Sequence, residues 1–183
     1  MAGSLIKVDE FTISSAVASV TLGGGSSGSS GLNASIDSTY DVYMISLNNV
    51  APVTDSVTLY FRTTSGGTPN TTATYDRAFM RLRADQAFQP RGFTNETFFN
   101  WASTGTGTSE MFNGIVHLFN FSNASEYSSI LIDSSTRDTN GNLVGQQGGG
   151  THSVLTACDG LQFFMSSGNI ASGKFVLYGL KNS

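Results

Sequence analysis

The sequence predicts an all-β protein, an antiparallel two-sheet β-sandwich that is jelly-roll-like and forms a single domain over residues 1–183. Three observations predict it. Short runs rich in β-branched and aromatic residues recur along the chain, separated by clusters of Gly, Ser, Thr and Asn. Thirteen Phe and six Tyr stand against only three Pro, a composition suited to short strands joined by polar turns. No segment shows the 3.6-residue apolar period of an amphipathic helix. Eight to ten strands are expected, and the single cysteine rules out the Cys…Trp…Cys arrangement of antibody domains, which favours the jelly roll.

Taken in order, residues Leu5 to Leu22 open with Ile6, Val8, Phe11 and Ile13 and continue as SAVASVTL, which alternates as a half-buried strand does. Gly23 to Gly31 (GGGSSGSSG) reads as a flexible loop. Tyr40 to Val50 is the next strand, with Tyr43, Ile45 and Leu47 on one face and Asn48, Asn49 and Pro52 closing it. Ser56 to Thr63 places Val57, Leu59 and Phe61 inward, and Ser65 to Asn70 is a turn cluster. Ala73 to Arg83 is expected to be a strand with Ala78, Met80 and Leu82 on its inner face and Tyr75, Arg77, Phe79, Arg81 and Arg83 on the other.

Residues 84–107 read as a long aromatic-rich loop carrying Phe88, Phe93, Phe98, Phe99 and the sole tryptophan, Trp101. A loop of that size in a compact domain carries either function or contacts, so Phe93, Phe98, Phe99 and Trp101 are candidates for a contact surface, against the alternative that they cap the core. Strands around GIVHLFNF and EYSSILID should pair. Ser134 to Gly150 turns polar, with Asn140-Gly141 as a tight turn, and Val154 to Ala157 is a further short strand. Two apolar runs, Leu161–Met165 and Phe175–Leu180, flank a Ser/Gly/Asn turn and predict a closing hairpin whose last strand is central and covered on both sides.

Charged residues make up 12% of the chain and the net charge is -4, which argues against a nucleic-acid partner. Only Arg77, Arg81, Arg83 and Arg91 approach a cluster, interrupted by Asp76 and Asp85. Cys158 is expected to be a buried small hydrophobe. Without a basic, apolar leader or a spanning run, synthesis in a cytoplasm and no membrane partner are expected. The five Asn-x-Ser/Thr triplets (Asn33, Asn70, Asn95, Asn120, Asn123) carry no glycosylation weight in that setting.

Nothing marks a catalytic site, and neither a cofactor nor a metal is expected. Gly23-x-Gly25-x-x-Gly28 and Gly24-x-Ser26-x-Gly28 match nucleotide and nucleophile-elbow patterns in letters alone, because no helix follows them. His117 shares parity with Ile115 and Phe119 and so belongs to the sheet; His152, in a loop after three glycines, could be drawn into a triad with Ser153 or Asp159 only without local support. DTNGN, Asp138 to Asn142, misplaces its glycine for a calcium loop and reads as a hairpin turn.

The chain's end, with Ile170, Ser172, Gly173, Phe175, Leu177, Tyr178, Gly179 and Leu180 in SGNIASGKFVLYGL, resembles the closing strand of small virion structural proteins of tailed bacteriophages, marine and cyanobacterial ones above all. YDVYMISLNNVAP, GTGTSEMFNGIVHLFNFSNASEY and DGLQFFMSSGNI are similar to the same group. The resemblance implies a virion location, assembly in a host cytoplasm, homo-oligomers such as trimers, and contacts with other virion proteins. The first expectation is therefore a non-enzymatic virion protein on the particle exterior, either a capsid decoration protein or a tail-fibre or tail-tip adhesin with a host surface glycan as partner. The rivals are a carbohydrate-binding module stacking sugars on Trp101, Phe98, Phe99 and Tyr75, and a glycan-active enzyme using Glu110 or Glu126.

Overall fold

The computed structural model describes residues 4–24 and 35–181. Thirteen strands form among the described residues: β1 (Ser4–Thr12), β2 (Ser19–Gly23), β3 (Val42–Pro52), β4 (Val57–Ser65), β5 (Thr68–Pro69), β6 (Tyr75–Arg83), β7 (Gln89–Glu96), β8 (Phe99–Thr104), β9 (Phe112–Phe119), β10 (Ser128–Arg137), β11 (Leu143–His152), β12 (Gly160–Met165) and β13 (Ile170–Lys181). They make an eight-stranded sheet, ordered β1-β13-β3-β9-β10-β11-β6-β7, and a smaller sheet, ordered β2-β12-β4-β5 with β8 also on β4. All the pairings are antiparallel.

Within this arrangement eight strands form a jelly roll. The row β1-β13-β3-β9 faces the row β2-β12-β4-β8, and the chain changes sheet at nearly every step. The other strands are additions to that frame. The β10–β11 hairpin and the β6–β7 hairpin extend the first row past β9, so the large sheet outruns the small one on that side. Beyond β8, which packs across β10, β11 and β6, no strand of the small sheet covers the inner side of β7.

The core lies between the sheets and is strongly aromatic. Phe61 on β4 packs its ring 5.1 Å from Phe99, 5.3 Å from Trp101 and 5.5 Å from Phe163. Phe163 reaches Phe175 of the opposite sheet at 5.3 Å, and Trp101 meets Phe112 of that sheet edge-on at 4.8 Å. The expected inward residues Val57, Leu59 and Phe61 are all buried, as is Cys158, and of the two faces of β3 the one carrying Tyr43, Ile45 and Leu47 turns inward.

Several expectations are corrected. The runs at 161–165 and 175–180 do not form a hairpin: β12 lies in the small sheet and β13 in the large one, because a jelly roll's last two strands belong to opposite sheets. The crossing at Ser166–Asn169 uses Gly168 at φ 72° and is pinned at both ends, Ser166 N–H donating to Thr58 O and Val53 N–H to Asn169 O. β13 does lie inside its sheet, with Phe175 and Leu177 in the core between the sheets; on its other face Val176 is buried, whereas Leu180 is exposed. β6 is turned over relative to expectation: Tyr75, Arg77 and Phe79 point inward, and Ala78 and Met80 outward. Two aromatic rings bury more apolar surface than Ala78 and Met80, and the inward arginines follow by parity.

Residues 84–107 are not a loop but contain β7 and β8. β7 is an edge strand bearing Pro90, a position where a missing N–H breaks no ladder. The three glycines before His152 belong to β11 rather than a loop, whereas Val154 to Ala157 is not a strand. Asn140-Gly141 does form the β10–β11 turn, with Gly141 at φ 79°. Of the Gly23 to Gly31 loop only Gly23 and Gly24 fall among the described residues; Gly25 to Gly31 lie outside them.

Gly150 shows why β11 needs glycine. A Cβ there would lie 2.6 Å from the Phe99 ring and 2.8 Å from the Asp76 carbonyl oxygen. Gly150→Ala should therefore cost about 1–3 kcal/mol in chemical denaturation. Gly92→Ala, on β7, meets nothing nearer than 3.9 Å. That change should stay within about 0.5 kcal/mol of the parent; equal effects of the two would contradict this packing.

Candidate functional site

The uncovered inner side of β6 and β7 creates a cleft of about 200 Å3 between those strands, β11 and the edge of β8. Strand parity puts Arg77, Phe79 and Arg81 of β6 on that side, opposite Phe93, Arg91 and Gln89 of β7 in register. From β11 comes Gln146, paired with Arg81, and from β8 come Asn100 and Trp101. A second depression of about 260 Å3 shares Arg81, Ser103 and Asp138 with the first and adds Arg83 and Arg137. Arginines thus gather at one end of a chain whose net charge is -4.

Arg77 is the unusual member. It is only 7% exposed, and among the described residues no carboxylate lies within ion-pair distance of it. Its guanidinium carbon lies 4.6 Å from the Phe79 ring centre and 4.1 Å from that of Phe93, two rings inclined by 11°. One guanidinium nitrogen donates to the backbone oxygen of Asn100, while Nε is buried without a partner. Burial pushes this guanidinium down to about 10, with Glu96 opposing the shift. Cation–π contact with the two phenylalanines offsets part of the desolvation cost, but no anion neutralises the charge.

Trp101 Nε1 and Gln146 Oε1 are likewise buried with no hydrogen-bond partner, and both residues line this cleft. Buried polar atoms without partners are few in native proteins, and three of the six among the described residues belong to residues that line this cleft. Asp138 is the cleft's carboxylate, but it is already engaged. Arg83 donates to it at 2.8 Å, and the Asn142 and Asn140 amides help hold it below the usual carboxylate range. The Asp138–Asn142 turn therefore serves to close the hairpin and brace Arg83.

The four residues expected to form one contact surface are split. Phe99 and Trp101 are core residues, Trp101 being 0% exposed. Phe98 lies on the outer side of the small sheet, stacked 4.1 Å from Tyr60, and Phe93 is 36% exposed at the cleft wall. Tyr75 is buried too, so the stacking platform of Trp101, Phe98, Phe99 and Tyr75 does not exist. Alternating parity through β8 sends neighbouring rings to opposite sides, which a loop reading could not express. Arg77, Arg81, Arg91 and Gln146 were the residues missed as a site; the arginine near-cluster was visible, but its inward direction was not.

The catalytic alternatives find no geometry. Ser153 Oγ donates to Thr74 O, and the Asp159 carboxylate accepts from Thr64 Oγ1 at 2.6 Å and Gly67 N–H at 2.9 Å, so neither orients His152. Glu110 accepts from Gly107 N–H at 3.1 Å within its own loop, and Glu126 is exposed on the turn before β10. No group of three or more His, Cys, Asp or Glu among the described residues is placed to share a metal ion. His117 lies on the outward face of β9, opposite Met44 and Leu131.

His152 is buried, stacked 4.8 Å from Tyr75, with Nδ1 3.5 Å from Thr63 Oγ1 and 3.6 Å from Cys158 Sγ. Burial lowers its pKa from 6.5. The unfolded chain then takes up the proton first, so stability should fall as pH drops through about 6.5. Unfolding midpoints between about pH 7.5 and 5.5 should show this slope, and His152→Gln should flatten it even if its absolute stability is lower.

The large sheet's outward face is the other notable surface. Tyr178, Met44, His117, Leu131, Gly149 and Ala78 stand side by side across six strands. Ile115 and Met80 extend the same face in the next row, and Leu131 is 53% exposed. Asp133, bonded to Gln147, interrupts the second row, and Lys7 and Glu10, joined by an ion pair, end the two rows on β1.

A buried, unpaired cation is costly to keep for stability alone, and a shape-matched apolar side chain often replaces it without loss. Arg77→Met should therefore leave the unfolding free energy within about 1 kcal/mol of the parent or raise it. A loss of more than about 3 kcal/mol would show the guanidinium to be a structural element.

No family model, no curated protein and no solved structure matches this chain, so its function is argued from its own residues and geometry.

Proposed function

We propose that this chain is a non-enzymatic structural component of a tailed-phage virion, displayed on the particle exterior as a decoration or accessory protein. The outward face of the large sheet is the observation that carries the reading. An antiparallel sheet normally alternates apolar-in and polar-out when one face is solvated. Here Met44, Ile115, Leu131, Met80 and Tyr178 occupy the outward side, which suits a face covered in an assembly. Its charges are of both signs and largely paired, Glu10 with Lys7 and Lys174 at the β1 edge and Asp133 with the Gln147 amide, so two copies can meet through it without net repulsion; the occupant we assign is a second copy of this chain.

Two further points support it. The closing strand resembles those of phage virion proteins, and the jelly-roll frame recurs in viral capsid and lectin domains, although fold alone does not fix function. A second reading, a tail-tip or fibre receptor-binding component, is favoured by the arginine cleft at the far edge of the same sheet.

Antibody-fragment labelling of intact particles from the source phage separates these readings. Label over the head supports decoration, label at the tail supports the receptor-binding role, and particles carrying no copy reject both. Light scattering tests the face itself: the parent should be oligomeric, and Leu131→Lys should reduce the mass while the separated chain stays folded, because Leu131 is exposed in the single chain. A monomeric parent, or a variant of unchanged mass, would rule out self-association through this face.

A further inference from the structure

We propose that the cleft bounded by β6, β7, β11 and β8 binds an acidic saccharide, taking one sugar unit that bears a carboxylate. The inference rests on the cleft alone and is independent of where the protein is displayed.

The anion follows from Arg77. Its guanidinium is nearly removed from water, has no carboxylate partner among the described residues and keeps Nε unpaired. Arg81 and Arg91 line the same cleft, and no ion pair joins either of them to a carboxylate among the described residues. Arg91 does donate to the Gln89 side chain at 3.1 Å. Glu96 acts on Arg77 only at longer range, and the Asp138 carboxylate is held by Arg83. The cleft is therefore left with uncompensated positive charge, presented by planar groups suited to forked contact with a carboxylate.

The hydroxylated ring follows from the neutral atoms. Trp101 Nε1 can only donate, and Gln146 Oε1 can only accept. A sugar unit carries hydroxyls that both donate and accept beside its carboxylate, which suits a cleft lined by the Asn100 and Gln146 amides and the Ser103 hydroxyl as well as by arginines. The Phe93 ring, partly exposed at the wall, offers an apolar surface to the ring's C–H groups. A volume of about 200 Å3 lies below the usual range of drug-sized ligand sites and suits a single unit. The residues concerned come mostly from the strands added to the jelly roll, where a site can vary without disturbing the frame.

Trp101 is the chain's sole tryptophan and lines the cleft, so its fluorescence reports occupancy directly. Titration with methyl glucuronoside should give a saturable change, and methyl glucoside, which lacks the carboxylate, should bind at least about tenfold more weakly. The double variant Arg81→Gln/Arg91→Gln, changed at positions outside the core, should weaken the glucuronoside at least about tenfold, and Arg77→Met should abolish the response. Absence of saturation with glucuronoside overturns the proposal, as does equal binding of the neutral glucoside or unchanged affinity in the double variant. Sodium sulfate binding as tightly as glucuronoside would reduce the site to a simple anion pocket. Binding of an acetylated glutamate tripeptide in place of the sugar would reassign it to a protein contact.

Discussion

The packing of one ring holds this molecule together. Phe61 touches Phe99, Trp101 and Phe163, and through Phe163–Phe175 and Trp101–Phe112 its cluster spans both sheets. Aromatic contacts of this kind add to the burial of large apolar surface. They also explain the neighbouring backbone. β11 can pass beneath the Phe99 ring only because Gly150 carries no side chain there. The polar cluster of Tyr75, His152, Thr63 and Cys158 abuts the same core: Tyr75 packs edge-on to Phe99 and donates its hydroxyl to Asn70 O.

The second constraint is the inequality of the two sheets. A jelly roll of matched rows buries its inner faces completely, whereas here four added strands extend only one of them. Strand parity still sends every second side chain of β6 and β7 to the inner side, although the small sheet ends at β8. Apolar residues there would expose a greasy groove; arginines with long aliphatic stems and charged heads tolerate the half-covered position. The exception is Arg77, buried beyond what a snorkelling side chain needs, and its unpaired charge is what separates a binding cleft from a packing defect.

The large sheet therefore presents two chemically distinct surfaces. Its outward face carries Tyr178, Met44, Ile115, Leu131 and Met80 in adjacent rows, with charges that are mostly paired at the β1 edge, which suits contact between copies. Its overhanging edge gathers positive charge in a concave, polar cleft. The two surfaces lie on opposite sides of β6, so one can be covered while the other stays open.

How much was legible in the chain depends on the range of the interactions that decide it. Alternation at Val57, Leu59 and Phe61, the turn at Asn140-Gly141 and the wealth of short aromatic runs determined an all-β sandwich, because strand period and turn chemistry are local properties. Which of two faces turns inward is not local. In β6 both faces carry apolar residues, and the inward one is decided by partners distant in sequence: Tyr75 packs on Phe99 and His152, and Gly148 leaves room beside Phe79, with Arg77 carried inward between them. The partner of a strand is equally non-local: β12 and β13 are neighbours in sequence but join different sheets, since each pairs with strands formed far earlier in the chain. The candidate site depends on both decisions, which is why its arginines read as scattered charges until the sheets had closed around them.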